Sequence, residues 1–290
     1  MDARRALLSG LIDYAGLFPP ALLSMEEAVA EYGRRRGSGE SWMLGAFVVP
    51  AGRLDEFAMA ARDHEGLWLL SVLIGADPDA DLERVVGFQT AFAHRFRVVS
   101  LEIRPSDREA LSAWLQRVPW GVDVFCELDW REDPSPWLPV LRLQGAWAKL
   151  RTGGVTPDLI PPVANVAVFL TLCAETGVGL KFTAGLHHPV RGDHALTYET
   201  DAPVGTMHGF LNMFVAAALL AIGPVDSDLL LDLLDERDVS AFVLDAEGIS
   251  WRDQRVDAAT LEDVRRRFAR GFGSCSFTEP VEDLQTLGML

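Results

Sequence analysis

The stretches 145-GAWAKLRTGG-154 and 179-GLKFTAGL-186 decide the fold. Each is a short, mostly apolar run that ends in a threonine and a glycine-containing turn. Runs of this length bounded by turn residues read as buried strands. Each holds one lysine, and Lys149 and Lys181 are the only lysines among 26 basic residues. Between them, 161-PPVANVAVFLTLCAETG-177 reads as a helix, with proline at its start and glycine past its end. Strand, helix, strand is one βα unit with a parallel crossover.

The same unit recurs upstream. The runs 10-GLIDYAGL-17, 43-MLGAFVVP-50, 67-LWLLSVLIG-75, 98-VVSLEIRP-105 and 122-VDVFCELDW-130 have the apolar character of parallel strands. Helical patterns separate them. The segment 24-SMEEAVAEYGRRR-36 carries a serine cap and an acidic first turn, and 80-ADLERVVGFQTAFAH-94 and 106-SDREALSAWLQRV-118 follow. Seven units result, and an eighth strand would close a (β/α)8 barrel. Two segments compete for it. The stretch 239-VSAFVLDAEGISW-251 reads as a hairpin around Asp-Ala-Glu-Gly. The stretch 271-GFGSCSF-277, followed by a helix from Glu279, is favoured as the closing strand. The expected fold is therefore α/β: a TIM barrel of (β/α)8 type with an inserted helix/hairpin segment at about 195–270, before the last strand. Residues 1–290 are expected to form a single domain, and the length suits one such barrel.

Net charge is −16, which argues against a phosphate-backbone partner, because such binding needs clustered lysine and arginine. No nucleic acid and no membrane partner is expected. The longest apolar run, 210-FLNMFVAAALLAIG-223, is too short to span a bilayer and contains Asn212. The first 16 residues hold no apolar core of signal-peptide length, and the three cysteines are sparse and lack CxxC spacing. Reduced thiols and a cytoplasmic location follow as expectations. Trp251 reads either as part of a self-association surface, which would make the chain a homo-oligomer, or as a core residue.

In barrels of this kind the chemistry sits at the C-terminal ends of the strands. Those ends carry Asp13 and Tyr14, Glu102 and Arg104, Glu127 and Asp129, Lys149 and Arg151, then Lys181, Thr183 and His187, and last Ser274 and Ser276. Charges in buried strands are costly unless paired or functional. Arginine fills nearly every basic position, yet arginine cannot deprotonate to an amine nucleophile and lysine can. If both lysines face one mouth, each lowers the other's pKa, which suits Schiff-base chemistry. The alternative is a pair of lysines in plain salt bridges with Glu102 and Glu127.

His187 and His188 invite a metal reading, with His194, Glu102 or Glu127 as possible partners. However, adjacent residues on an extended segment point in opposite directions, and HHPVRGDH is no standard zinc spacing. The preferred reading puts one histidine in the pocket and the other in a loop hydrogen bond. His208 reads as a cap residue of the apolar helix, and His64 and His94 as surface. The turns 152-TGG-154 and 183-TAG-185, with Ser274 and Ser276, are candidate anion donors.

These features together resemble the deoxyribose-phosphate aldolase family of class I barrel aldolases. The opening 11-LIDYAGLFPPA-21 is similar to that family's first strand. The segments 147-WAKLRTGG-154 and 178-VGLKFTAGL-186 are similar to its sixth and seventh strands. The resemblance covers about residues 10–190. It implies Lys149 as the imine-forming residue, Lys181 as the group lowering its pKa, and Glu102 as proton shuttle, with Glu127 at the family's acidic fifth-strand position. Asp13 falls in the first-strand match and joins the catalytic set. Arg151, Thr183, His187, His188, Ser274 and Ser276 complete the expected substrate-binding set. The turn AGLHHP departs from the family's phosphate turn, so a phosphosugar substrate is not carried over. The expected function is a carbon–carbon lyase acting on a small polar or anionic carbonyl compound, with no cofactor. Two alternatives stand beside it: a metal-dependent lyase or isomerase, and a barrel that binds an anionic metabolite without catalysis.

Overall fold

The computed structural model describes residues 2–290. Seven strands come first in the chain: β1 Ile12–Tyr14, β2 Leu44–Pro50, β3 Trp68–Leu73, β4 Phe96–Ile103, β5 Asp123–Leu128, β6 Trp147–Arg151 and β7 Leu180–Thr183. Short antiparallel strands follow: β8 Gly192–Ala195, β9 Val204–Met207, β10 Phe242–Leu244, β11 Gly248–Trp251 and β12 Gln254–Asp257. The last strand is β13 Ala269–Ser274. Strands β1–β7 and β13 form a closed barrel in the order β1-β13-β7-β6-β5-β4-β3-β2, all neighbours parallel. This is a (β/α)8 barrel, with its inserted segment between the seventh and the closing strand.

The helices are α1 Ala3–Leu8, α2 Met25–Arg36, α3 Leu54–Ala60, α4 Pro78–Phe92, α5 Arg108–Leu115 and α6 Leu138–Gln144. They continue with α7 Val163–Thr176, α8 Phe210–Ile222, α9 Ser227–Asp235, α10 Ala258–Arg267 and α11 Thr278–Thr286. Local chemistry sets their ends. Ser24 and Glu27 close a reciprocal capping box on α2, at 2.9 and 3.2 Å, a feature worth about 1 kcal/mol. Helix α7 starts after Pro161–Pro162 and stops at Gly177, whose φ of +65° suits glycine. The stretch Pro157–Thr176 is apolar and long enough to cross a bilayer, but it is only partly helical here. Its buried residues Val166, Phe169, Leu170 and Cys173 belong to the barrel's hydrophobic core.

The core lies between the strands and the helix ring. Tyr14, Tyr32, Phe47, Phe57, Trp68 and Phe96 form a chain of ring contacts at 4.9–6.0 Å between β1–β4 and the helices outside them. Each fully buried ring of this kind contributes about 1.5–3 kcal/mol. Helix α8 is buried nearly all round and meets α7, α9 and α10. Asn212 is accommodated there because its amide donates to Leu233 O and Glu236 O, and its Oδ1 accepts from Arg191 N. That is full use of a buried polar group.

The 239–251 segment is a hairpin, and the structure adds a third strand, β12, to make a meander. Trp251 is buried within it and donates its indole N–H to Glu236, so it belongs to the core and not to an outer surface. All three cysteines are free and buried. Burial pushes the Cys126 thiol up to about 12.

Candidate active site

The strand register brings five charged side chains from five strands into the barrel. Glu127 is the register partner of Lys149, and Lys149 is the partner of Lys181. Glu102 comes from β4 and Asp13 from the middle of β1. Glu102 is the hub. Its Oε2 lies 2.7 Å from Lys149 Nζ and its Oε1 lies 2.6 Å from Lys181 Nζ. Lys149 also holds Glu127 Oε2 at 2.8 Å, and Lys181 holds Asp13 Oδ2 at 2.5 Å. Arg151 Nε reaches Glu127 Oε1 at 3.2 Å. Three carboxylates thus meet two ammonium groups and one guanidinium, and the formal charge balances. Such pairing is what makes charges tolerable in a barrel interior.

Neutral groups complete the network. Ser71 Oγ donates to Glu102 Oε1 at 2.7 Å and receives the hydroxyl hydrogen of Ser100, also at 2.7 Å. Ala46 N donates to Asp13 Oδ1 at 2.6 Å. Burial alone would raise the Glu102 pKa, but Lys149 and Lys181 hold it far below the usual carboxylate range. Glu127 is likewise lowered, by Lys149 and Arg151 against the opposing effect of burial. For Lys181, burial would lower the pKa, yet Asp13 and Glu102 raise it above its ordinary value. The expectation that the two amines lower each other's pKa therefore fails for Lys181. Two carboxylates at hydrogen-bond distance outweigh one neighbouring cation, and Lys181 stays a fixed ammonium.

The two lysines differ in access. A cavity of about 250 Å3 opens at the C-terminal end of the barrel, and Lys149, Glu102, Glu127, Arg151, Thr183 and His187 line its polar side. Lys181 and Asp13 are not on that wall. Lys181 is 1% exposed and sits beneath Glu102, its Nζ 5.2 Å from the Phe125 ring centre. The rest of the wall is apolar, with Phe18, Val48, Leu73, Leu196 and Met207 among it.

Ser274 and Ser276 are not among the residues that line this cavity. Alternation along β13 turns Gly273 and Cys275 inward instead. Ser274 Oγ accepts from Ser276 N at 3.3 Å, and Ser276 Oγ accepts from Glu279 N at 3.2 Å, so both hydroxyls serve local turns. The glycine turns also offer less than expected. Thr152 N donates to Thr183 O at 2.9 Å, and Ala184 N to Gly273 O at 3.2 Å. The two turns pack directly on each other, and a Cβ on Gly153 would lie 2.9 Å from Gly185 Cα.

The histidines occupy the rim. His187 Nδ1 lies 2.6 Å from Glu279 Oε2, and His188 Nδ1 lies 2.7 Å from Asp283 Oδ2, both carboxylates being on α11. His188 stacks on His194 with ring centres 3.5 Å apart and lines a neighbouring cavity of about 210 Å3, not the lysine-bearing one. Neither histidine pairs with Glu102 or Glu127, the carboxylates expected for a metal set. Among the described residues no group of three or more His, Cys, Asp or Glu side chains is arranged to hold a metal ion. His208 is buried inside the fold, with Nε2 2.8 Å from Pro161 O, and burial with Arg191 nearby pushes it down to about 4.

No protein-family model matches the chain, and no curated protein matches it. Among solved structures, a deoxyribose phosphate aldolase from Aeropyrum pernix, described as a unique tetramer, superposes with a TM-score of 0.50. The identity is 14%, and the match covers 98% of this chain and 97% of that one. The two proteins share a fold.

Four contributors to the site were not legible from sequence. Ser71 is a lone serine in an apolar strand, and only register reveals that it faces Glu102. Leu196 and Met207 come from the β8–β9 hairpin, whose short strands carry no periodic signal. Phe18 lies in the turn after β1, where no charge or repeat singles it out.

Proposed function

We propose that the chain is a Schiff-base-forming lyase of aldolase type, acting on a small carbonyl compound. The observation that carries the proposal is the unequal access of the two lysines. Both lysines are buried, but Lys149 lines the cavity and Lys181 does not. In this reading Lys149 is the nucleophile and Lys181 a fixed cation that holds Glu102 in place beside it.

The steps balance within the residues at hand. Lys149 passes a proton to Glu102 or Glu127, and its lone pair adds to the substrate carbonyl carbon, giving a carbinolamine. That proton returns to the carbinolamine hydroxyl, which leaves as water, and an iminium forms. The iminium takes the electron pair of the breaking carbon–carbon bond and becomes an enamine. The proton of the substrate hydroxyl passes to Glu102 as the first carbonyl product leaves. Protonation of the enamine carbon and addition of water then release the second product and restore the amine. Glu102 is proposed for the shuttle because it touches Lys149, and Glu127, also in contact with Lys149 and less strongly held, offers a second proton acceptor.

The lining sets the substrate class. A carbonyl end fits the Lys149 wall, and a short apolar body fits Phe18, Leu73 and Met207. Arg151, 43% exposed at its side chain, is placed to meet an anionic group at the mouth. No phosphate is assigned, because Ser274 and Ser276 are turned into local hydrogen bonds.

A second reading, a binding barrel without catalysis, is favoured by one observation: each ammonium group is held by two carboxylates. Borohydride reduction in the presence of a panel of small aldehydes and ketones separates the two. An adduct on Lys149, located by peptide mass spectrometry, is expected. Absence of any adduct on Lys149 across the panel overturns the lyase proposal.

A further inference from the structure

The opposite, N-terminal end of the barrel carries a second cavity, of about 480 Å3. Four arginines (Arg5, Arg265, Arg266 and Arg270) line it against three carboxylates (Asp13, Asp123 and Glu262). Arg265, on α10, is 9% exposed, and its side chain points into this floor cavity without any carboxylate partner among the described residues. Its terminal nitrogens share one carbonyl, Ser9 O, at 3.3 and 3.2 Å. Its Nε is buried and has no acceptor. A buried guanidinium with five donors and one long-range acceptor is an incomplete site.

The surroundings reinforce the deficit. Arg270 lines the same cavity, with its own Nε buried and unpaired and only its terminal nitrogen on Asp123 at 3.2 Å. Arg5 borders it too, stacked on Trp42 with no carboxylate partner. The acidic groups on the wall do not cancel these charges. Asp13 is bonded to Lys181, although its charge also reaches Arg265; Asp123 is taken by Arg270, and Arg266 pairs with Asp263, so Glu262 is the one wall carboxylate without an ion-pair partner among the described residues. A locally positive recess on a chain of net charge −16 is not a product of composition.

We propose that this floor cavity binds a small oxyanion, a phosphate or carboxylate group, through Arg265 and Arg270, on the face opposite the lysine-bearing mouth. The planar forks of two arginines match the geometry of such groups. This proposal stands independently of the aldolase reading. The overall negative charge makes nonspecific anion uptake unfavourable, so saturable binding is informative.

Isothermal titration with inorganic phosphate, and separately with malonate, at fixed ionic strength in chloride tests it. The expected result is one saturable site for at least one probe, and the tighter probe identifies the group. Arg265→Met should weaken that binding at least tenfold. Because Arg265 is buried and its replacement can compromise folding, Arg270→Gln provides the second variant, with the same expected loss. Arg151→Gln, at the mouth, should leave the affinity unchanged. No saturable binding of either probe overturns the proposal, as does unchanged affinity in a folded Arg270→Gln variant. Loss of binding in Arg151→Gln also overturns it, because the anion would then sit in the mouth.

Discussion

Lys149 and Lys181 are register partners on adjacent strands and grip opposite oxygens of one carboxylate, Glu102, at 2.7 and 2.6 Å. One carboxylate serving two cations ties reactivity to stability. Any change at Glu102 alters both the proton inventory of the mouth and the balance of charge in the barrel interior.

Lys149→Arg keeps the positive charge and removes the amine nucleophile. Activity on any substrate that traps on the wild type should fall by about a thousandfold or more. The borohydride adduct should vanish while circular dichroism stays unchanged. Turnover retained within tenfold would refute the nucleophile assignment.

Glu102→Gln keeps the shape and removes the charge. Both ammonium groups then lose a buried partner, which costs about 3–5 kcal/mol when a buried pair is broken. Urea unfolding should show a clear drop in midpoint at neutral pH. A variant as stable as the wild type would show that the network carries little of the fold's stability.

Two histidines predict a stability maximum near their ordinary value of 6.5. His208 is lowered to about 4, so the folded state resists its protonation, and stability is lost as pH falls from 6.5 toward 4. His187 is raised to about 9, because contacts with Cys275 and Glu279 overcome the lowering effect of burial. Its contribution is complete below 6.5 and is lost as pH rises toward 9. Each limb is worth about 3 kcal/mol at most. Thermal midpoints measured from pH 4 to 9 should show both limbs, with His208→Gln flattening the acid one and His187→Gln the alkaline one. Unchanged limbs in the two variants would assign the profile to other groups.

Gly185 has φ of +78°, and a Cβ there would lie 2.8 Å from Gly153 Cα. Gly185→Ala should destabilise the fold by about 1–3 kcal/mol and displace the turn that follows Lys181 and Thr183. A denaturation midpoint equal to the wild type would show that the turns can separate freely.

The barrel was legible in the sequence because seven apolar runs alternate with cappable helices, and because two lysines stand at equivalent points of successive units. Glu102 and Glu127 were legible as their partners because charge in an apolar strand demands one. The phase of the last strand was not legible. The segment GFGSCSF alternates among small residues, so nothing in it says whether Ser274 or Cys275 faces inward. The inserted segment was opaque for a related reason. Strands of four residues such as Gly192–Ala195 and Val204–Met207 are held by their pairing with each other and not by a hydrophobic face. The direction of the Lys181 shift was beyond sequence because it depends on contacts counted in single ångströms.

The β8–β9 hairpin has a consequence for how this protein could change. Leu196 and Met207 wall the mouth from a segment that supplies none of the charged residues beneath it. The charged network and part of the cavity's apolar wall are therefore encoded in separable lengths of chain. The hairpin can be recast, in nature or at the bench, to reshape the cavity while the buried electrostatics of the five strands remain as they are.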